Sequence, residues 1–166
     1  MGTAIVVTSG KGGTGKTSIT GGVAGSLARL GHSVLCIDMD IGLRNLDISL
    51  GLSDRALMDF SDVAEGRCPL VRAAVNHPDL PGLALLTAPM TLSPALTEEA
   101  VRRMLDTARS LYDYVLIDSP AGLGAGFRMA CCGPTGPPSS PPTTLLPFGT
   151  PSAPWVSWTF CGRFIW

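Results

Sequence analysis

The segment Gly10-Lys11-Gly12-Gly13-Thr14-Gly15-Lys16-Thr17 fits the spacing G-x-x-x-x-G-K-[ST], and each part of that spacing answers a need of phosphate chemistry. Glycines let backbone N–H groups converge on phosphate oxygens with no Cβ in the way. A helix starting at the end of the loop adds its first-turn amides and the positive end of its dipole. Lys16 reaches β and γ phosphates, and the Thr17 hydroxyl is placed for Mg²⁺. Three acids can complete such a site. Asp38 and Asp40 follow one apolar run, and Asp118 ends another. Ligands of open α/β sheets sit beyond the carboxyl ends of strands, so these acids can converge on the loop. One can hold Mg²⁺ through water and another can position an attacking water. Capping and turn formation are the ordinary uses of Asp after a strand, and the pattern alone does not divide the roles. Lys11 and Lys16 are the only lysines in the chain. Composition does not separate Lys11 from a solvated loop residue.

Such a loop needs a strand before it and a helix after it. Ala4-Ile5-Val6-Val7 supplies the strand, and Ile19, Val23, Leu27 and Leu30 recur at helical spacing with Gly31 as the stop. Gly21, Gly22 and Gly25 weaken that helix by up to about 1 kcal/mol each relative to Ala, so close packing on a sheet must compensate. Further apolar runs at Val34-Leu35-Cys36-Ile37, Leu83-Ala84-Leu85-Leu86 and Val115-Leu116-Ile117 predict an α/β fold: a mostly parallel sheet with helices on both faces. The expected strands are 3–8, 33–38, 83–87 and 114–118. A helix is predicted over 98–111, capped by Thr97, with Val101, Met104, Leu105, Ala108 and Leu111 as its buried stripe. Glu98–Arg102 and Glu99–Arg103 are its expected i,i+4 pairs. Shorter helices are expected between Asn45 and Val75.

The chain of 166 residues is 45% apolar and 15% charged, with a net charge of −1. That composition favours a globular domain and argues against a nucleic-acid partner. There is no run of transmembrane length and no basic segment ahead of the first apolar run to mark a secretion signal. Val6 stands where a myristoylation signal needs Ser or Thr. Five cysteines at unpaired spacings and two histidines, His32 and His77, predict neither a disulfide framework nor a zinc site, and fit a reducing cytosol. Charge is unevenly spread. Residues 1–118 hold ten bases against all thirteen acids, a net of −3, while 119–166 carry only Arg128 and Arg163. Eight prolines fall within 134–154, followed by Trp155, Trp158 and Trp166. The expected division is therefore a partial phosphate-loop domain over 1–133 and an irregular Pro/Trp-rich tail over 134–166.

Lys11 to Thr17 resembles the deviant Walker A motif of a superfamily of P-loop ATPases. Ile37-Asp38-Met39-Asp40-Ile41-Gly42-Leu43-Arg44-Asn45-Leu46-Asp47 and Asp118-Ser119-Pro120-Ala121-Gly122 resemble the switch I and switch II regions of its MinD family, the septum-site-determining ATPases. The resemblance covers roughly residues 3–133. It implies ATP and Mg²⁺ as cofactors, with residues 10–17 and Gly122 around the nucleotide. Thr17, Asp38 and Asp118 fall on the metal side, with Asp118 as the Walker B acid. Lys16 and Asp40 are catalytic, Asp40 by orienting the hydrolytic water, and Lys11 reaches across a homodimer to the partner's nucleotide. It further implies a cytoplasmic protein at the inner face of the cell membrane, with division-inhibitor and topological-specificity proteins as partners. Relatives for flagellar placement or chromosome partition share the first motif; a partition role would want a basic surface. Past Gly133 the resemblance ends: neither adenine-contacting loops nor a basic membrane helix is recognisable. The tail reads like translation in a shifted frame or a chimeric end, with a natural extension as the alternative. A nucleotide-binding fragment without turnover is thus the second reading of function.

Overall fold

A parallel strand covered on both faces has to be apolar along its length, and the four apolar runs meet that demand. The computed structural model describes residues 1–9, 11–121, 128–130 and 144–147, the last four by backbone alone. In chain order the elements are β1 (Thr3–Thr8), α1 (Lys16–Arg29), β2 (Val34–Asp38), α2 (Asn45–Ser49), α3 (Phe60–Ala64), α4 (Leu70–Ala73), β3 (Val75–Asn76), β4 (Leu83–Leu86), α5 (Glu98–Leu111), β5 (Tyr114–Asp118) and β6 (Thr144–Pro147). They form one sheet in the order β3-β4-β2-β5-β1-β6. All neighbours run parallel except the short β3, which pairs antiparallel with β4. The four expected strands are therefore parallel, with the Asp118 strand beside the first. Strand β3 carries no such apolar run and escaped the sequence reading.

Successive side chains of a strand point to opposite faces, and the core divides accordingly. Leu35, Ile37, Ala84, Leu86, Val115 and Ile117 pack with Phe60, Leu70 and the buried stripe of α5. Val34, Cys36, Leu83, Leu85 and Leu116 pack on the other face with Ala24 and Ala28 of α1 and Leu46 and Leu50 around α2. Helices thus cover both faces, as the apolar runs require.

The helices correct the expected faces in detail. α1 buries Thr20, Ala24 and Ala28, and Leu30 is exposed; the larger Ile19, Val23 and Leu27 are only partly covered. Small side chains let this helix lie close on the sheet, with Gly21 against Ser49 and Leu50. α5 has the predicted bounds, and Thr97 Oγ1 accepts the Ala100 amide at 3.2 Å. Leu111 is half exposed, and Arg109 is buried in its place, donating from Nε to the Gly2 carbonyl at 3.0 Å. Glu99 approaches both Arg102 and Arg103, while Glu98 meets Arg128. The predicted Glu98–Arg102 pair gives way to a tertiary contact.

The tail was expected to be irregular throughout. Residues 144–147 instead extend the sheet, with Ile5 opposite Thr144 and Thr8 opposite Pro147. Pro147 ends the outermost strand, where a missing N–H breaks no interior ladder. The Pro137-Pro138 and Pro141-Pro142 pairs and the tryptophans lie outside the described residues.

Gly82, which precedes β4, has φ 89°, and a Cβ there would sit 2.9 Å from the His32 carbonyl oxygen. Both the dihedral and the contact oppose a side chain. Gly82→Ala is expected to lower unfolding free energy by about 1–3 kcal/mol, whereas Gly22→Ala, on open helix surface, should be neutral or stabilise by up to about 1 kcal/mol. Urea unfolding of the two variants measures the contrast.

Candidate functional site

The phosphate loop begins where β1 ends. Ser9 is buried; its hydroxyl donates to the Lys11 carbonyl at 2.7 Å and accepts from Thr14 Oγ1 at 2.8 Å and Lys16 Nζ at 3.2 Å. One proton and two lone pairs are all a serine hydroxyl offers, so Ser9 is fully used in shaping the loop. Gly15, at φ 86°, turns the chain into α1. That helix begins without a side-chain cap and without an acid in its first turn, whereas α3 and α5 are capped by Asp59 and Thr97. The first-turn amides of α1 are left for an anion.

Pairing of β2 with β5 sets Asp38 opposite Asp118 at the carboxyl ends of the two strands. Both are buried, and their environments differ. Asp38 Oδ1 accepts the Asp40 amide at 2.8 Å and Oδ2 accepts the Leu46 amide at 3.1 Å. Burial raises its carboxyl to about 7; those two amides pull it down, while the charges of Asp118 and Asp40 push it up. Asp118 is also raised by burial, offset by the Thr17 hydroxyl and the Lys16 charge. Its Oδ1 is buried with no hydrogen-bond partner among the described residues. Asp40 is raised by its partial burial and lowered by Lys16.

Of the three acids, Asp40 lines a cleft of about 810 Å³, together with residues 12–18, Asn45 and Ser119 among others. An orphaned carboxylate oxygen beside the Thr17 hydroxyl fits Mg²⁺, a hard cation commonly held by one or two protein oxygens together with phosphates and water. Among the described residues no cluster of three or more His, Cys, Asp or Glu builds a separate metal cage. Asp38 holds the loop that carries Asp40 through the Asp40 and Leu46 amides. Lys11 is exposed, at the loop's outer side. Gly10 and Gly122 lie outside the described residues.

The profile of the CobQ/CobB/MinD/ParA nucleotide-binding domain matches residues 5–122. The chain belongs to this family. The septum site-determining protein MinD of Synechocystis is 46% identical over 127 residues, 76% of this chain and 48% of that protein. The MinC:MinD cell division complex of Aquifex aeolicus superposes with TM-score 0.69 at 44% identity, covering 77% of this chain and 51% of that one. MinD of Pyrococcus horikoshii complexed with Mg-ADP gives TM-score 0.67 at 30% identity, over 78% and 54% of the two chains. The chain spans about half the length of the curated relatives it matches. Within the CobQ/CobB/MinD/ParA domain, the sequence pattern missed three hydroxyls: Ser9, the Thr20 hydroxyl near Asp118, and Ser119, whose Oγ donates to the Val7 carbonyl at 2.9 Å. Ser9 borders the phosphate-loop motif and Ser119 lies within the switch II segment, which was the signal available; Thr20, one helical turn beyond Lys16, had none.

A raised carboxyl gives the native state a proton that the unfolded chain has already released between about pH 4 and about 7. Asp38, and Asp118 in the same direction, therefore make the ligand-free chain lose stability as pH rises through that window. Unfolding free energy is expected to fall between about pH 4 and about pH 7, with a shallower slope in Asp38→Asn. Denaturant titrations across pH would show this; equal slopes for the two proteins would remove Asp38 as the source.

Proposed function

We propose that this chain is a MinD-type, Mg²⁺-dependent ATPase unit acting as a nucleotide-switched regulator of division-site placement. The observation that carries the reading is the convergence of an uncapped helix start, Lys16, Thr17 and Asp40 on one cleft, with the orphaned Asp118 carboxylate buried behind Thr17 and Lys16. The Mg-ADP complex of a MinD relative supports the choice of ligand.

Each residue's role follows from its chemistry. Loop amides and Lys16 hold the phosphates and stabilise charge that develops on them. Thr17 and Asp118 would hold Mg²⁺, which supplies charge neutralisation at the β and γ phosphates. Asp40, on the cleft wall, orients water toward the γ-phosphate. Lys11, exposed, is free to reach a second copy's nucleotide in a homodimer. A MinC-like inhibitor is the first partner to test, since the Aquifex MinD is seen with MinC; a topological-specificity protein and the inner membrane surface complete the proposed cycle. No helix among the described residues is long and apolar enough to cross a membrane. A nucleotide-binding unit without turnover is the second reading.

Calorimetry with Mg·ATP and phosphate-release assays test both. Lys16→Ala should abolish binding. Lys11→Ala and Asp40→Asn should spare binding and lower hydrolysis by about 10²–10⁴-fold. Absence of Mg·ATP binding in the parent chain would sink the proposal, binding without phosphate release would select the second reading, and undiminished turnover in Lys11→Ala would end its role across a dimer.

A further inference from the structure

Arg44 lies in the recognised switch segment, yet neither phosphate, metal nor water chemistry uses it. It occupies φ 48°, ψ 49°, a left-handed conformation that a side-chain-bearing residue keeps only when its surroundings hold it there. One guanidinium arm, Nη2, donates to Thr87 Oγ1 at 3.3 Å, and Nε lies 3.6 Å from Asp47 Oδ2. Thr87 is buried just past the end of β4, and it is a junction. Its hydroxyl donates to the Met58 carbonyl at 3.4 Å, and its own carbonyl accepts the Phe60 amide at 2.9 Å. Close by, the Gly42 amide donates to the Pro89 carbonyl at 3.1 Å.

The loop after β2 is therefore held from two sides. Asp38 grips it at both ends, through the amides of Asp40 and Leu46. Its middle is gripped from the β4 side, through Gly42 and Arg44. We propose that Arg44 is a positioning residue: its bond to Thr87 fixes the loop that presents Asp40 to the cleft and ties that loop, through Thr87, to Met58 and Phe60. The fork geometry of a guanidinium lets one side chain address Thr87 and Asp47 together, which a single ammonium does not. The role of Asp40 rests on the proposed ATPase reading; the latch itself does not.

The test uses the full chain and two readouts. Hydrogen exchange without nucleotide is measured for Arg44→Met, Thr87→Val, Thr87→Ser and the double variant R44M/T87V. Amides at 42–46 should exchange about fivefold faster in Arg44→Met and in Thr87→Val, as expected for loss of one net hydrogen bond. Thr87→Ser, which keeps the hydroxyl, should match the parent, and the double variant should be no faster than either single one. Amides of β1 and β5 should be unchanged, which separates the latch from global unfolding. With Mg·ATP, Arg44→Met should lower turnover about tenfold while affinity stays within about twofold, as for a misplaced water-orienting group. Unchanged exchange at 42–46, equal effects of Thr87→Ser and Thr87→Val, or simple additivity would overturn the proposal. Should the parent show no turnover, that failure belongs to the ATPase reading, and exchange alone decides the latch.

Discussion

Two carboxylates buried side by side impose the main constraint on this domain. Asp38 and Asp118 stand opposite one another at the ends of adjacent central strands, where desolvation opposes their charge. The fold answers for each differently. Asp38 takes two backbone amides, and the chain must curl over it to deliver them. Asp118 is left with an oxygen facing no partner among the described residues and with Lys16 and Thr17 nearby. One carboxylate is thereby satisfied by backbone amides, and the other keeps an oxygen without a hydrogen-bond partner among the described residues. The loop geometry, the start of α1 and the cleft follow from accommodating that pair.

The sheet makes the accommodation possible. Its central strands are apolar on both faces, so polar groups are forced to the strand ends, where β1, β2 and β5 finish together. α1 lies close because Thr20, Ala24 and Ala28 are small, and that proximity brings its first turn up to the acids. Cys36, in the middle of β2, is fully buried, and burial above all pushes its thiol far up; it packs as a small apolar residue.

Much of this was legible in the residues. The phosphate-loop spacing located Lys16 and Thr17, the continuous apolar runs gave four parallel strands, and Thr97 with the following 3.6-residue period gave both ends of α5. What was not legible depended on partners distant in sequence. Arg109 is buried because the Gly2 carbonyl needs a donor, which periodicity does not show, and Leu111 is displaced to the surface. Glu98 turns to Arg128 across the fold and leaves its helical neighbour. In α1 the largest side chains do not form the contact face, because a tight approach to the sheet selects the smallest. β3 and β6 owe their extended form to pairing with β4 and β1. That the Asp38 carboxylate accepts the Asp40 and Leu46 amides was not legible either, because those bonds exist only once the loop has folded back over the strand end.

The position of β1 in the sheet bears on how the protein is made. Its neighbours are β5 and β6, so Thr3 pairs with Tyr114 and Ile5 with Thr144. During synthesis β1 leaves the ribosome well before either of its mates, because no local partner exists for it. Such non-local pairing is slow and leaves apolar edges open while the chain waits. The stretch that will cradle phosphate is thus born early and shaped late. A nascent chain of this design depends on being kept from other chains until the downstream strand emerges, and the ribosome's pace across residues 39–113 sets how long that exposure lasts.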